Sequence, residues 1–444
     1  MVVFLTDQQR WDSAGLHGNP LDLTPNFDRL ARAGTHLVNT FVSNPVCGPS
    51  RASLQTGLYP SSLGCFRNGI PLPSNVSTLA TCFTEGGYAT GYIGKWHLAD
   101  PSSRGPVAVE GRGGYRQWLA ANVLEFTSDA YRTELYDNEG RAVELPGYRV
   151  DALTDAAIRF VDSHKANPFL LFLSYLEPHH QNTRDDHPAP VGYRERYEGR
   201  WVPPDLAAFG GSSHRDLAGY WGMVRRLDEA LGRLCDALLS LDLADNTIVL
   251  FTSDHGSHFK TRNDDYKRSC HDVSIRVPTA VWGPGFDGKG QVKHLVSSVD
   301  IAPTLLDAAG LPVPAEMEGR SLMPVLDGKV LDWPTDVMVQ ISESQLGRAI
   351  RTHRWKYSVR ASDDDGTTRA SADEYTEEFL YDLYSDPFEI VNLVGLESHR
   401  LVADVMRQRL LRRIEEIGEP APVILPAPPR PGGQRSISPQ EADL

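Results

Sequence analysis

The residues best suited to chemistry fall in a few short segments of the chain. Asp7-Gln8, Gly94-Lys95-Trp96-His97, Glu177-Pro178-His179-His180 and Asp254-His255-Gly256 bring together carboxylates, a lysine and histidines, groups that move protons and hold charge. Taken singly, each has a structural reading, because Asp-His-Gly is a common turn and a lone histidine is more often structural than catalytic. A further segment, Asn44-Pro45-Val46-Cys47-Gly48-Pro49-Ser50-Arg51, precedes a helix expected over Ala52 to Thr56 and closed by Gly57. Pro49 suits a first helical turn, so Cys47 sits at or just before a helix N-terminus. Free N–H groups there favour an anion, lower a thiol pKa and make a nucleophile. Arg51, one turn in, can grip an oxyanion or hold the nucleophile in place. A buried cysteine beside a proline turn has the same composition, so this segment alone leaves both readings open.

The elements expected to position these groups alternate between strand and helix. Val2–Leu5, Tyr88–Ile93, Phe169–Tyr175 and Thr247–Phe251 read as short buried strands, and each runs directly into one of the four polar clusters. Thr24-Pro25 opens a helix that Gly34 stops. From about Arg215 to Leu239, Leu217, Tyr220, Val224, Leu227, Leu231, Leu234 and Leu238 keep a helical spacing. Such alternation predicts an α/β fold with a large, mainly parallel sheet sandwiched by helices. In open sheets of that kind ligands bind outside the carboxyl ends of the strands, which gathers the four clusters on one rim.

Composition narrows the function classes. With 444 residues, 41% apolar and 23% charged, the chain reads as an ordinary globular protein of one large and one smaller domain. Its net charge of −14 argues against a nucleic-acid partner. Cys47, Cys65, Cys82, Cys235 and Cys270 are widely spaced with no CxxC pair, which argues against a zinc knuckle or disulfide scaffold. No apolar run is long enough to span a bilayer and no signal peptide is evident. The expected location is therefore the cytoplasm, or outside it if the true N-terminus lies upstream; no membrane partner is expected, and a homo-oligomer is left open.

Cys47-x-Pro49-Ser50-Arg51, followed by Ala52-Ser53-Leu54 and Thr56-Gly57, resembles the signature of the formylglycine-dependent sulfatases of the alkaline-phosphatase-like superfamily. The resemblance covers most of the chain. It extends through Thr6-Asp7-Gln8-Gln9-Arg10-Trp11-Asp12, Gly94-Lys95-Trp96-His97, Pro178-His179, Ser253-Asp254-His255-Gly256, Ser274-Ile275-Arg276-Val277-Pro278 and Asp300-Ile301-Ala302-Pro303-Thr304-Leu305-Leu306. Arg354-Trp355-Lys356-Tyr357, Leu380-Tyr381-Asp382-Leu383, Asp386-Pro387 and Asn392-Leu393 resemble the family's small terminal sheet.

The resemblance implies a sulfuric ester hydrolase in which a maturation enzyme oxidises Cys47 to formylglycine, whose hydrate attacks sulfur. It implies a divalent cation, usually calcium, held by Asp7, Gln8, Asp254, His255 and the residue at 47. Two positions depart from the family: Gln8 stands where a second aspartate is common, and His255 where asparagine is. A histidine nitrogen suits calcium poorly, which leaves calcium, magnesium and manganese all open. By the same resemblance, Arg51, Lys95 and Lys267 hold the sulfate, His179 protonates the leaving alcohol, and His97 removes the proton that lets the aldehyde reform. Lys267 is assigned by its spacing to Ser274-Ile275-Arg276-Val277-Pro278. Of His179 and His180, only one is expected at the site, because neighbours on an extended segment point opposite ways.

Asn68, in Arg67-Asn68-Gly69, is either a simple turn or a substrate contact. Lys260 and Arg262, just after the metal motif, are expected at the mouth of the site, where they would suit an anionic substrate such as a sulfated sugar acid. Cys270 reads as packing. The expected layout is a catalytic domain over 1–335, a small α+β subdomain over 336–419 and a proline-rich tail over 420–444, loose or packed over the surface. Within the small subdomain, strands are expected near Val337–Ile341 and Trp355–Val359 and a helix near Val402–Ile414. Pro101 to Gly147 carries no motif and is expected to shape the pocket. Three functions compete: a sulfatase on a carbohydrate or other small sulfate ester, a phosphonate monoester or phosphodiester hydrolase, and an inactive relative that binds sulfated glycans.

Overall fold

The computed structural model describes residues 1–100, 104–329, 332–362, 366–430 and 437–443. The start of the Pro101–Gly147 segment and part of the proline-rich tail thus lie outside the described residues. An 11-stranded sheet forms the centre. Its strands are β1 (Val2–Asp7), β2 (Thr35–Phe41), β3 (Ala89–Lys95), β4 (Gln117–Ala121), β5 (Arg132–Tyr136), β6 (Ala142–Pro146), β7 (Phe169–Pro178), β8 (Val249–Ser253), β9 (Arg276–Val277), β10 (Ala280–Trp282) and β11 (Gly290–Ser297). They run in the order β11-β2-β10-β8-β1-β7-β3-β4-β5-β6, with β9 beside β2. The middle of the sheet, β8-β1-β7-β3-β4, is parallel throughout.

Alternation along the strands explains why these segments are apolar without interruption. Val3 and Leu5 of β1, with Leu170 and Phe172 of β7, enter the core on one face, beneath helices Cys47–Thr56, Leu79–Glu85 and Ile301–Ala308. Val2, Phe4, Leu171 and Leu173 enter the other, beneath helices Pro25–Ala33, Arg149–His164 and Ser213–Ser240. All four central strands extend past their expected ends, so Asp7 and Lys95 lie within strands rather than after them. The ladder pulls them in: Thr6 pairs with Ser253, and Trp96 N–H donates to the Ala121 carbonyl at 2.9 Å.

At Gly94 the chain passes so close to β7 that an added Cβ would stand 1.9 Å from the Ser174 carbonyl oxygen. Only glycine fits there, and its φ of 109° suits no side-chain-bearing residue. That close pass sets Lys95 beside Ser174.

The smaller sheet is β12 (Asp336–Ile341), β13 (Gly347–Thr352), β14 (Trp355–Arg360), β15 (Glu374–Asp382) and β16 (Val423–Leu425), covered by helix Arg400–Glu416. The sequence reading placed β12 and β14, the family resemblance touched the end of β15 at Leu380-Tyr381-Asp382, and β13 and β16 escaped. The described part of the tail is not loose: β16 pairs with β15, and Ile437 and Ala442 join the small core. This sheet packs against the nucleophile segment, where Gln340 N–H donates to the Ser43 carbonyl at 2.7 Å.

Candidate active site

Helix Cys47–Thr56 is buried along its whole length and starts at Cys47 itself, five residues before the start its sequence suggests. Gly48 and Pro49 both fit a first turn, which extends it. The Gly48 N–H donates to Asn68 Oδ1 at 2.8 Å, and a Cβ on Gly48 would stand 2.9 Å from that oxygen. Asn68 therefore braces the helix N-terminus while lining the cavity, and Glu343 of the small sheet's edge fixes its backbone by accepting the Asn68 N–H at 2.6 Å.

The strand ends deliver the other groups to the cysteine. Lys267 Nζ lies 2.9 Å from Cys47 Sγ, 3.0 Å from His255 Nε2 and 3.2 Å from His179 Nε2. His255 Nε2 is 3.2 Å from the same sulfur, and Lys95 Nζ 3.8 Å. Asp7 accepts from Lys95 at 2.7 Å, and Lys95 also pairs with Glu125 at 3.2 Å. A cavity of about 620 Å³ opens onto Cys47 and is lined also by Asn68, His97, Glu125, His179, His180 and Lys267. The predicted gathering at one rim is what the fold produces.

Electrostatics set Cys47 apart from the other cysteines. Burial pushes Cys65 up to about 11 and Cys235 and Cys270 to about 12, and it raises Cys82 as well. Burial opposes ionisation of Cys47 too, but Lys267, Lys95 and His255 override it and hold the thiol well below its ordinary value. Cys270 is core packing with Phe41, Ile275 and Val277, as expected.

Asp7, Cys47, Asp254 and His255 place one ligand atom each within 4.8 Å of one another. Burial and the neighbouring Asp7 push Asp254 up to about 6, although His255 and Arg51 oppose the shift. Gln8 is fully buried and neither atom of its carboxamide has a hydrogen-bond partner. His255 Nδ1 donates to the Gly256 carbonyl at 2.9 Å, which turns Nε2 toward the cluster, and, against the effect of burial, Asp254 raises the imidazole's pKa. In this arrangement Nε2 serves either Lys267 or an ion. Two carboxylates, an orphaned carboxamide and an imidazole nitrogen, which would give up its proton to an ion, fit a divalent cation.

Several sequence expectations need correction. Arg51 does not line the cavity. Its guanidinium donates to Asp254 and Asp7 at 2.9 Å each, to the Lys95 carbonyl at 2.8 Å and to Ser174 Oγ at 2.7 Å. Its guanidinium clamps the two carboxylates and is engaged on every side by these partners. Lys260 and Arg262 are engaged away from the cavity lining. Lys260 pairs with Asp185 at 3.1 Å over the Tyr266 ring, while Arg262 covers the Phe209 ring and donates to the Phe388 carbonyl. His180 does line the cavity together with His179. The strand ends at Pro178 and the His179 N–H turns back to the Leu176 carbonyl, so the alternation of an extended segment no longer applies. The two rings stack at 4.3 Å.

Glu125 was missed. It is buried between Lys95 and His97, whose Nδ1 is 3.6 Å away. Burial would raise its pKa, but Lys95 and His97 carry it below the ordinary value. It comes from the motif-free stretch 101–147, as do Val123 and Phe126, so that segment shapes the pocket as expected. A lone glutamate in a polar stretch offers no signal of its own.

The sulfatase family model matches residues 1–311, well over half of the chain. The chain belongs to the sulfatase family. A second family model, the C-terminal part of N-sulphoglucosamine sulphohydrolase, matches residues 264–416. An ulvan-active sulfatase of Formosa agariphila is 31% identical over 436 residues, covering 94% of this chain and 81% of its own. Among solved structures, one in complex with its substrate D-glucosamine-2-N,6-O-disulfate superposes with a TM-score of 0.77 at 23% identity, covering 94% of this chain and 97% of the other. A phosphonate monoester hydrolase of Silicibacter pomeroyi gives 0.71 at 20% identity, covering 94% and 95%. At such identities these two structures speak for the fold alone. This sulfatase is a sulfuric ester hydrolase with a large helix-covered sheet and a smaller C-terminal sheet.

Proposed function

We propose that this sulfatase releases sulfate from a sulfated carbohydrate, using a formylglycine made from Cys47 beside a divalent cation. The observation that carries the reading is the position of Cys47. It is the first residue of a buried helix, ringed by Lys267, Lys95 and His255, and it opens into a cavity large enough for a sugar ring. The likeness to an ulvan-active sulfatase supports a polysaccharide-derived substrate.

Formylglycine would supply the hydroxyl nucleophile that cysteine lacks. A divalent ion held by Asp7, Asp254, His255, Gln8 and residue 47 would supply positive charge beside the sulfate. Calcium is the ion proposed, since most donors are oxygens. The chain's own residues do the rest. Lys267, next to the nucleophile, donates to sulfate oxygens as their charge grows. Arg51 keeps Asp7 and Asp254 in register, and Lys95 neutralises Asp7 from the other side.

His179 rests neutral, its pKa lowered by burial and by Lys267. An arriving sulfate ester favours the imidazolium, which takes its proton from solvent and then gives it to the departing ester oxygen, beside Lys267 at 3.2 Å. His97 takes a proton from the residue at 47 after sulfate transfer, and Glu125 stabilises the charge it gains. The enzyme that matures Cys47 is part of this proposal.

The test is peptide mass spectrometry of protein co-expressed with a maturing enzyme. The Cys47 peptide is expected to carry an aldehyde in proportion to activity. A fully active preparation whose Cys47 is entirely thiol would overturn the formylglycine reading.

A further inference from the structure

Around the cavity nearly every cation is already committed. Arg51 is held by Asp7 and Asp254, Lys95 by Asp7 and Glu125, and Arg268 by Asp265 and Glu343. Lys267 faces the nucleophile. Arg67 differs. It lines the cavity with Cys47, is only partly exposed, and has no carboxylate within ion-pair distance among the described residues. Its Nη1 donates to the Asn68 carbonyl at 2.9 Å. Its Nε is buried with no acceptor, and Nη2 makes no hydrogen bond to a described residue.

A partly buried guanidinium whose Nε–Nη2 edge is left open is costly unless something fills it. That edge offers two parallel N–H donors, the geometry that matches a carboxylate or sulfate bidentately. The flanking backbone is rigid, since the next residue, Asn68, is anchored by Glu343 at its N–H and by Gly48 at its side chain. Two of the cavity's acidic groups are held elsewhere, Glu125 by Lys95 and Asp265 by Arg268, and the third, Asp100, is not within ion-pair distance of Arg67.

We infer that Arg67 is a specificity-determining residue that binds a second oxyanion on the substrate, so that the preferred substrate is a doubly anionic sulfated sugar. This rests on the proposed sulfatase reading and narrows its substrate class. The second group is a carboxylate or a second sulfate, the chemistry once expected of Lys260 and Arg262.

The experiment compares kcat/KM of matured enzyme for two esters with a single anionic group, 4-nitrophenyl sulfate and glucosamine 6-sulfate, with glucosamine N,6-O-disulfate and a sulfated uronate disaccharide. Wild type is expected to favour one of the two doubly anionic sugars, and which one tells carboxylate from sulfate. Arg67→Ala should lower the preference for that sugar over singly anionic glucosamine 6-sulfate by about 10- to 100-fold, the range of a charge-assisted pair. Arg67→Lys should recover part of it, which a merely structural role would not show. A wild type that prefers glucosamine 6-sulfate to both doubly anionic sugars overturns the inference, as does an Arg67→Ala variant that slows all esters equally. If wild type releases sulfate from none of them, the sulfatase reading fails with it; sulfate release without charge preference fails the Arg67 inference alone.

Discussion

Replacing Lys267 by alanine is expected to lower kcat/KM on sulfate esters by about 10²- to 10³-fold, the usual cost of one oxyanion donor. Its ammonium touches Cys47 Sγ, His255 and His179 at once, so its loss removes both a donor to the sulfate and a neighbour that positions His179. Steady-state kinetics with esters of graded leaving-group acidity separates these duties. The sulfate-holding part of the loss is the same for every ester. The loss in His179→Ala should shrink sharply as the leaving group becomes a good one, because an activated phenol needs no proton. Equal losses in His179→Ala for alkyl and activated aryl esters would move the acid role to Lys267.

Arg51→Ala is the second large effect, and it is an effect on stability. The guanidinium is buried and joins Asp7 and Asp254, two carboxylates that are themselves fully buried. Removing it leaves both without their main counter-charge apart from Lys95, and a buried ion pair broken from one side typically costs about 3–5 kcal/mol. Denaturant unfolding in the presence of chelator should show that loss as a lower midpoint. Arg51→Lys should recover little, since one ammonium cannot reach Asp254, Asp7, the Lys95 carbonyl and Ser174 together. An unchanged midpoint for Arg51→Ala would show that the clamp is not what holds the carboxylates.

Much of this site could be read from the chain because parallel strands end where their polar clusters begin. Asp7, Lys95 and Asp254 follow apolar runs, and a sheet with both faces covered has one place to put such residues. What sequence could not reveal was which partner each charge finds. Arg51 has the position of a sulfate ligand, yet the clamp it makes depends on Asp7 and Asp254 being neighbours across β1 and β8.

Lys260 and Arg262 read as a cationic loop only so long as Asp185, Tyr266 and Phe209 are unseen. Glu125 belongs to a stretch without periodicity or motif, and its importance comes from Lys95 and His97 arriving from another strand. The small sheet was half legible for a similar reason. β12 is an apolar run and β14 alternates strictly between apolar and polar residues, whereas charge interrupts β13 and β15 less regularly and β16 hides among prolines.

The most direct test of the central claim is anion release by matured protein from sulfated sugars, aryl sulfates and aryl phosphonates, with Cys47→Ala alongside. The account predicts sulfate release that is fastest on a sulfated sugar and vanishes in the Cys47→Ala control. Phosphonate turnover exceeding every sulfate ester, or sulfate release that survives in Cys47→Ala, would contradict it.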